Sequence, residues 1–365
     1  MRDNFIRVAA ATPEIKVADV AYNKEQICAC VEEAAARKAK IIVLPELCLT
    51  GYTCNDLFLQ TPMLEAAKEA LLELAAYSAD KDVLMAVGLP YEVRNRLYNA
   101  AALICRGKLL AMVTKTHLPM YSEFYETRHF APGPEAVEWI RIQNAAGEWE
   151  DIPFGSKILL ECDTVPGLVV AAEICEDVWA PNPPSISHAM AGATVIVNPS
   201  ASDETTGKRA YRRQLIGGQS ARLVCGYIYA NAGEGESTQD LVFSAHNLIC
   251  ENGTMLAESK ALGHGIVYGD LDLERLRSER RRMGTFDVSA RRREGYETVH
   301  FSLEKEDLSL ERFIDPMPFV PGNEADHSGY GPEKTSEAYG MPPCSGGTFR
   351  RSGFHAGSFG DREGL

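Results

Sequence analysis

The chain has 365 residues, 45% of them hydrophobic and 24% charged, with a formal net charge of −14. This is the composition of a globular protein, and it excludes a wholly disordered, collagen-like or small disulfide-stapled chain. The acidic balance argues against a nucleic-acid surface, and no apolar run approaches the ~20 residues a membrane helix needs. Ten cysteines occur without a CxxC pair, so neither a zinc ribbon nor a thioredoxin motif is supported. Met1-Arg2-Asp3-Asn4 does not open a secretory signal, so reduced thiols in the cytoplasm are expected.

In chain order, residues 6–10 read as a strand and 24–38 as a helix, with Ile27, Val31 and Ala34 at helical spacing. A fully apolar strand follows at 41–44, a second amphipathic helix at 64–77 and a buried strand at 83–87. Segments 97–104 and 109–114 flank Arg106-Gly107-Lys108, a hairpin signal. Buried strands at 168–174 and 194–197 surround a short helix at 187–190. A long helix at 208–223 leads to strands at 227–230 and 241–249, the latter closed by Asn252-Gly253. Alternating strands and helices, with central strands apolar on both faces, predict an α/β sandwich.

Apolar periodicity is dense until the composition changes near residue 322, and within that stretch residues 1–270 are read as one compact domain. Residues 271–321 read as a charged connector. Its arginines, at 275–282 and 291–293, are interrupted by acids and fit a solvated or inter-subunit helix rather than a nucleic-acid site. Residues 322–365 hold ten glycines, no Val, no Ile and one Leu, so disorder is expected there.

Polar residues cluster at the ends of three apolar runs. Leu44-Pro45-Glu46-Leu47 precedes Thr50-Gly51-Tyr52; Val113-Thr114-Lys115-Thr116-His117-Leu118-Pro119 precedes Tyr121-Ser122-Glu123-Phe124-Tyr125-Glu126; and Val169 to Ile174 runs into Cys175-Glu176-Asp177. Taken singly, Glu46 reads as an edge carboxylate, Lys115 as a solvated lysine and Cys175 as an inert core thiol. Taken together they hold what a nucleophilic thiolate needs at neutral pH, a base and a cation.

In this order the three motifs resemble the nitrilase, or carbon–nitrogen hydrolase, superfamily, whose triad is Glu, Lys and Cys. The resemblance covers residues 5 to about 265 and implies a nitrilase-like four-layer αββα sandwich. Within that superfamily, Glu173-Ile174-Cys175-Glu176-Asp177-Val178-Trp179, Asn198-Pro199-Ser200-Ala201-Ser202, and Tyr229-Ala230-Asn231 with Gly235-Glu236-Ser237-Thr238-Gln239-Asp240 are similar to glutaminase domains of glutamine-dependent NAD synthetases. Gln239 departs from the threonine usual there.

The resemblance implies hydrolysis of glutamine to glutamate and ammonia through a cysteine thioester. It makes Cys175 the nucleophile, Glu46 the general base, and Lys115 with the Glu176 backbone N–H the oxyanion partners. A second, orienting glutamate is expected at Glu123, with Glu126 the runner-up. Tyr52, Tyr121, Glu176, Ser200, Ser202 and Lys208 are the expected substrate contacts, Lys208 being replaceable by an arginine. No metal site is implied, and no cofactor for this step. A homo-oligomer is expected by the same resemblance, and glutamine is the expected small-molecule partner, with no nucleic acid and no membrane. A stand-alone amidase or carbamoylase, or a non-catalytic truncated remnant, are the alternatives.

Related chains continue into an ATP- and magnesium-dependent synthetase domain with an SGGxDS loop, and nothing after Pro321 reads that way. Codons encoding residues 327–365, read one base later, permit a product that contains SGGLDS behind an apolar strand. The expectation is a frameshift near Asp326-His327, with the synthetase domain absent and the complete ligase activity lost.

Overall fold

Strands buried on both faces set the architecture of the chain. A computed structural model describes residues 4–144, 146–238, 240–260, 262–286 and 290–314. The first half runs β1 (Phe5–Thr12), α1 (Val20–Ala36), β2 (Ala39–Val43), α2 (Thr61–Tyr77), β3 (Leu84–Val93), β4 (Arg96–Cys105), β5 (Lys108–Thr114), β6 (Glu138–Gln143) and β7 (Trp149–Phe154). The second runs β8 (Ile158–Cys162), β9 (Val169–Ala172), α3 (Pro184–Ala191), β10 (Val195–Ser200), α4 (Lys208–Leu223), β11 (Gly226–Asn231), β12 (Leu248–Glu251), β13 (Thr254–Glu258), β14 (Gly265–Asp272), α5 (Leu273–Arg282) and β15 (Glu297–Phe301).

One sheet has eight strands in the order β14-β1-β2-β3-β4-β5-β7-β6, and a second has seven in the order β13-β12-β11-β10-β9-β8-β15. Alternation along β1 shows how the layers form. Ile6, Val8 and Ala10 face the second sheet, beside Val170, Val197 and Ile228, whereas Ala9 and Ala11 face the helices that carry Ile27, Val31, Leu71 and Leu74. On the far side, Ile196 and Tyr227 pack against Ala189 of α3 and Ile216 and Leu223 of α4. The stacking is helix, sheet, sheet, helix: the four-layer αββα sandwich of the nitrilase superfamily.

Two-residue turns close the hairpins where the sequence signals them. Arg106 and Gly107 take φ of 49° and 85° between β4 and β5, and Asn252 and Gly253 take 44° and 84° between β12 and β13. The strand expected at 241–249 is confined to β12. The residues before it carry buried Ser244, His246 and Asn247, whose side chains bond other elements instead of a ladder.

The charged connector expected at 271–321 is, as far as Arg312, part of the sandwich, and the unit beginning at the N-terminus runs to that residue. Strand β15 pairs in parallel with β8, Leu273 and Leu276 of α5 are fully buried, and Arg312 donates to Glu251 at 2.6 and 2.9 Å. Its arginines hid the apolar stripe because they work within the chain. Arg280 donates to the carbonyls of Ala193, Leu223 and Val224, and Arg293 to that of Ala191. Arg280 thereby satisfies two carbonyls at the end of α4 and Arg293 one at the end of α3. A separate unit begins at Phe313. The disorder and frameshift expected at 322–365, and Gln239, lie outside the described residues.

Candidate active site

Strand direction brings the three motifs to one edge. Strand β2 runs parallel to β3, and β5, reversed twice through β4, runs the same way. In the second sheet β9, β10 and β11 are mutually parallel. Lys115 directly follows β5, while Glu46 and Cys175 each sit three residues beyond a strand, the place where parallel α/β sheets put their chemistry. The sheets are tied together there, since the Glu46 N–H donates to the Ser200 carbonyl at 3.3 Å and the Ala201 N–H donates to Glu46 Oε2 at 2.9 Å. Gly88 on β3 allows this: a Cβ there would lie 2.4 Å from both Leu47 N and Pro45 O. The loop carrying Glu46 crosses β3 only over a glycine.

Lys115 Nζ donates to Glu46 Oε1 and to Glu126 Oε1, each at 2.6 Å, with side-chain exposures of 0%, 0% and 4% for Lys115, Glu46 and Glu126. Asn99 Nδ2 donates to Glu46 at 2.7 Å, and the Tyr52 hydroxyl to Glu126 at 2.8 Å. Burial opposes the charge on Lys115, but the two carboxylates outweigh it and hold the ammonium well above its usual range. Burial pushes the Glu126 carboxyl up to about 7, with Lys115 opposing and Glu46 adding to the shift. The cluster therefore holds a buried cation between two carboxylates, with burial pushing Glu126 toward its protonated form and Lys115 opposing it.

Cys175 opens a one-turn helix after β9, is 5% exposed and has φ of +44°, a left-handed backbone that a non-glycine residue adopts only when held. Its N–H donates to Asn198 Oδ1 at 3.0 Å. Two residues on, the buried Asp177 carboxylate accepts from the N–H groups of Ile174 at 2.9 Å and His117 at 2.8 Å. Asp177 thus ties the nucleophile turn to the loop after Lys115. Burial holds the Cys175 thiol well above its ordinary range; Glu46 adds to that, Lys115 opposes it and Glu126 adds again. The sulfur is a thiol at rest and needs a base at the moment of attack.

The expected second glutamate, Glu123, is half-buried in the wall of a cleft that also includes Tyr52, Tyr125, Glu126 and His129. Glu126, and not Glu123, is the carboxylate bonded to Lys115. The reason is local. Residues 119–125 turn irregularly before the one-turn helix at Glu126–Arg128, so Glu126 points inward with Phe124 and Phe130.

Tyr52 is buried and meets Phe124 and Phe243 edge-on. Tyr121 is exposed, and its hydroxyl bonds both carboxylate oxygens of Glu176 at 3.0 Å. Lys208, the first residue of α4, pairs with Asp203 and lies 5.6 and 5.4 Å from the centres of the Phe124 and Trp179 rings. Ser200 and Ser202 are buried with their hydroxyls committed internally: Ser200 donates to Asn198 Oδ1 at 2.9 Å, and Ser202 accepts from Arg212 at 3.1 Å.

Three residues of the site escaped the sequence reading. Asn99 interrupts the apolar run of β4, a signal that was present, since a polar residue inside a central strand needs a partner. Asn198 stands inside a quoted motif but bears on the cysteine only across strands. Arg212, fully buried, donates to Glu204 at 2.9 Å and to the Asp203 carbonyl at 2.8 Å and carries the loop after β10; its position in α4 reads as surface. Among the described residues, no group of three or more His, Cys, Asp or Glu side chains is placed to hold a metal ion.

Comparison with known proteins shows what the chain is similar to. Residues 7–281 match the carbon–nitrogen hydrolase family model. The chain is 42% identical over 331 residues to the glutamine-dependent NAD(+) synthetase of Mycobacterium tuberculosis, covering 87% of this chain and 47% of that protein. A crystal structure of a glutamine-dependent NAD(+) synthetase from Cytophaga hutchinsonii superposes with a TM-score of 0.65 at 31% identity, over 73% of this chain and 43% of that one. An amidase from Nesterenkonia shares the fold, with a TM-score of 0.57 at 20% identity over 77% of this chain and 97% of that one. The chain spans about half the length of the synthetases it matches.

Proposed function

This chain belongs to the carbon–nitrogen hydrolase family, and from that premise we propose that it hydrolyses the side-chain amide of glutamine and supplies ammonia for the amidation of deamido-NAD. The observation that carries the reading is the buried Lys115 ammonium, 2.6 Å from two carboxylates and within electrostatic reach of Cys175. The identity with glutamine-dependent synthetases supports glutamine as the amide.

In this reading Glu46 takes the proton of Cys175 as the sulfur attacks the carboxamide carbon. Lys115 and the Glu176 N–H stabilise the oxyanion that forms. The carbon–nitrogen bond breaks, ammonia leaves with the proton held by Glu46, and a glutamyl thioester remains on Cys175. Glu46 then deprotonates water, which releases glutamate and restores the thiol. Glu126 keeps Lys115 charged and aimed. Tyr52, Tyr121, Glu176 and Lys208 line the substrate side, whereas Ser200 and Ser202, whose hydroxyls are bonded to Asn198 and Arg212, shape the loop behind it and are not direct contacts. The hydrolytic step uses no cofactor; ATP and magnesium would serve the synthetase part that consumes the ammonia.

The nine described cysteines are free thiols, which fits a reducing cytoplasm. Association into a homo-oligomer belongs to the same proposal and is checked by sedimentation velocity.

Ammonia release from glutamine, asparagine and simple aliphatic amides, by the chain and its Cys175→Ala variant, tests the function. Release that is fastest with glutamine and lost in the variant is expected. A preference for aliphatic amides would make the protein an amidase of the same family instead.

A further inference from the structure

Behind Cys175 runs a buried chain of hydrogen bonds that the reaction does not use. Asn198 Oδ1 accepts from the Cys175 N–H at 3.0 Å, and Asn198 Nδ2 donates to the Tyr227 hydroxyl at 2.9 Å. Tyr227 donates to Glu173 Oε1, and Glu173 Oε2 accepts from the Ser185 N–H at 2.7 Å. Glu173, Asn198 and Tyr227 are at most 1% exposed.

The polarity of this chain is fixed at both ends. The Cys175 and Ser185 N–H groups can only donate. The asparagine must therefore turn its oxygen to Cys175 and its NH₂ to Tyr227. The tyrosine, receiving that NH₂, must send its single proton to Glu173, which has to accept twice. A carboxylate does this and a carboxamide cannot. With glutamine at 173, either the Ser185 N–H or the Tyr227 oxygen would meet a second donor, and the conflict would pass through Tyr227 to Asn198.

We propose that Glu173 is a positioning residue for the Cys175 nucleophile: through Tyr227 its carboxylate fixes the Asn198 amide and so holds the left-handed turn on which the thiol sits. The inference rests on Cys175 being the nucleophile. The Ser200 hydroxyl, which donates to the same Asn198 oxygen, joins the substrate-side loop to the same anchor.

The test is a double-mutant cycle of Glu173→Gln and Tyr227→Phe in the full chain. Its readouts are kcat and KM for glutamine and the rate of Cys175 alkylation by iodoacetamide, read by peptide mass, with thermal melting to establish folding. Each single variant is expected to lose about ten- to a hundredfold in kcat through misplacement of the sulfur, with KM changed by less than about twofold and alkylation altered in parallel. Once the hydroxyl is gone, Glu173 has no route to Asn198, so the double variant should equal Tyr227→Phe.

Wild-type rates in Glu173→Gln, or losses that multiply in the double variant, would overturn the proposal. If one variant fails to fold, the other decides it alone, an unchanged alkylation rate being the contrary result. If the wild-type chain releases no ammonia from glutamine, the glutaminase reading fails, and the alkylation cycle still judges this one.

Discussion

The two sheets bring different kinds of chemistry to one edge. The first contributes charge: Glu46, Lys115 and Glu126, joined at 2.6 Å and almost fully buried. The second contributes the nucleophile on a neutral frame, with Cys175 held by Asn198 and Asn198 in turn by Tyr227. The charged side holds its protons and ions ready by mutual compensation, since each buried carboxylate lowers the cost of the buried ammonium and the reverse. The other side fixes geometry by donor–acceptor matching, with the Glu173 carboxyl at the far end of the chain that begins at Asn198. Damage to the first side should show in stability and proton transfer together. Damage to the second should show in the placement of the sulfur.

The largest effect should come from the atom both sides serve. Cys175→Ala should lower glutamine turnover by about 10⁴-fold or more while the melting temperature stays close to wild type. Next, Lys115→Met leaves two carboxylates buried without their cation and should cost about 3–5 kcal/mol of unfolding free energy in urea, with loss of turnover. Adding Glu126→Gln to that variant should restore stability but not activity, and if it restores neither, the compensation argument for the charged side is wrong.

Glu126→Gln alone should lower kcat by about ten- to a hundredfold. Glu123→Gln, out in the cleft wall, should stay within about threefold, as surface changes usually do. The reverse ranking would return the orienting role to Glu123.

The smallest effect is a slope of stability with pH. The Glu126 carboxyl is raised by burial to about 7 from an ordinary value of 4.5. A raised carboxyl keeps in the folded state a proton that the unfolded chain gives up. The stability it contributes is full below pH 4.5 and lost as pH rises toward 7. Unfolding free energy should fall across that window, and Glu126→Gln should remove part of the fall.

The sequence revealed strands more readily than their partners. Val43, Val87 and Val197 lie in runs of apolar residues that only a buried strand explains, and the helix at Lys208–Leu223 coincides with its expected span. Glu46, Lys115 and Cys175 were legible as strand-end residues, and the resemblance placed them together. Periodicity failed for β15 and α5, where arginines directed at carbonyls resemble a solvated face. It also failed for Glu126 against Glu123, because three positions in an irregular loop carry no period. Asn198 and Tyr227 meet only through the parallel pairing of β10 and β11, a register that no local pattern encodes.

The central claim is that Cys175 attacks the glutamine carboxamide. Its most direct test is labelling with the glutamine analogue 6-diazo-5-oxo-L-norleucine, with the modified peptide identified by mass spectrometry. The account predicts one label per chain, on Cys175, slowed by glutamine and absent from Cys175→Ala. Inactivation with the label on any other residue, or labelling that Cys175→Ala leaves intact, would contradict it.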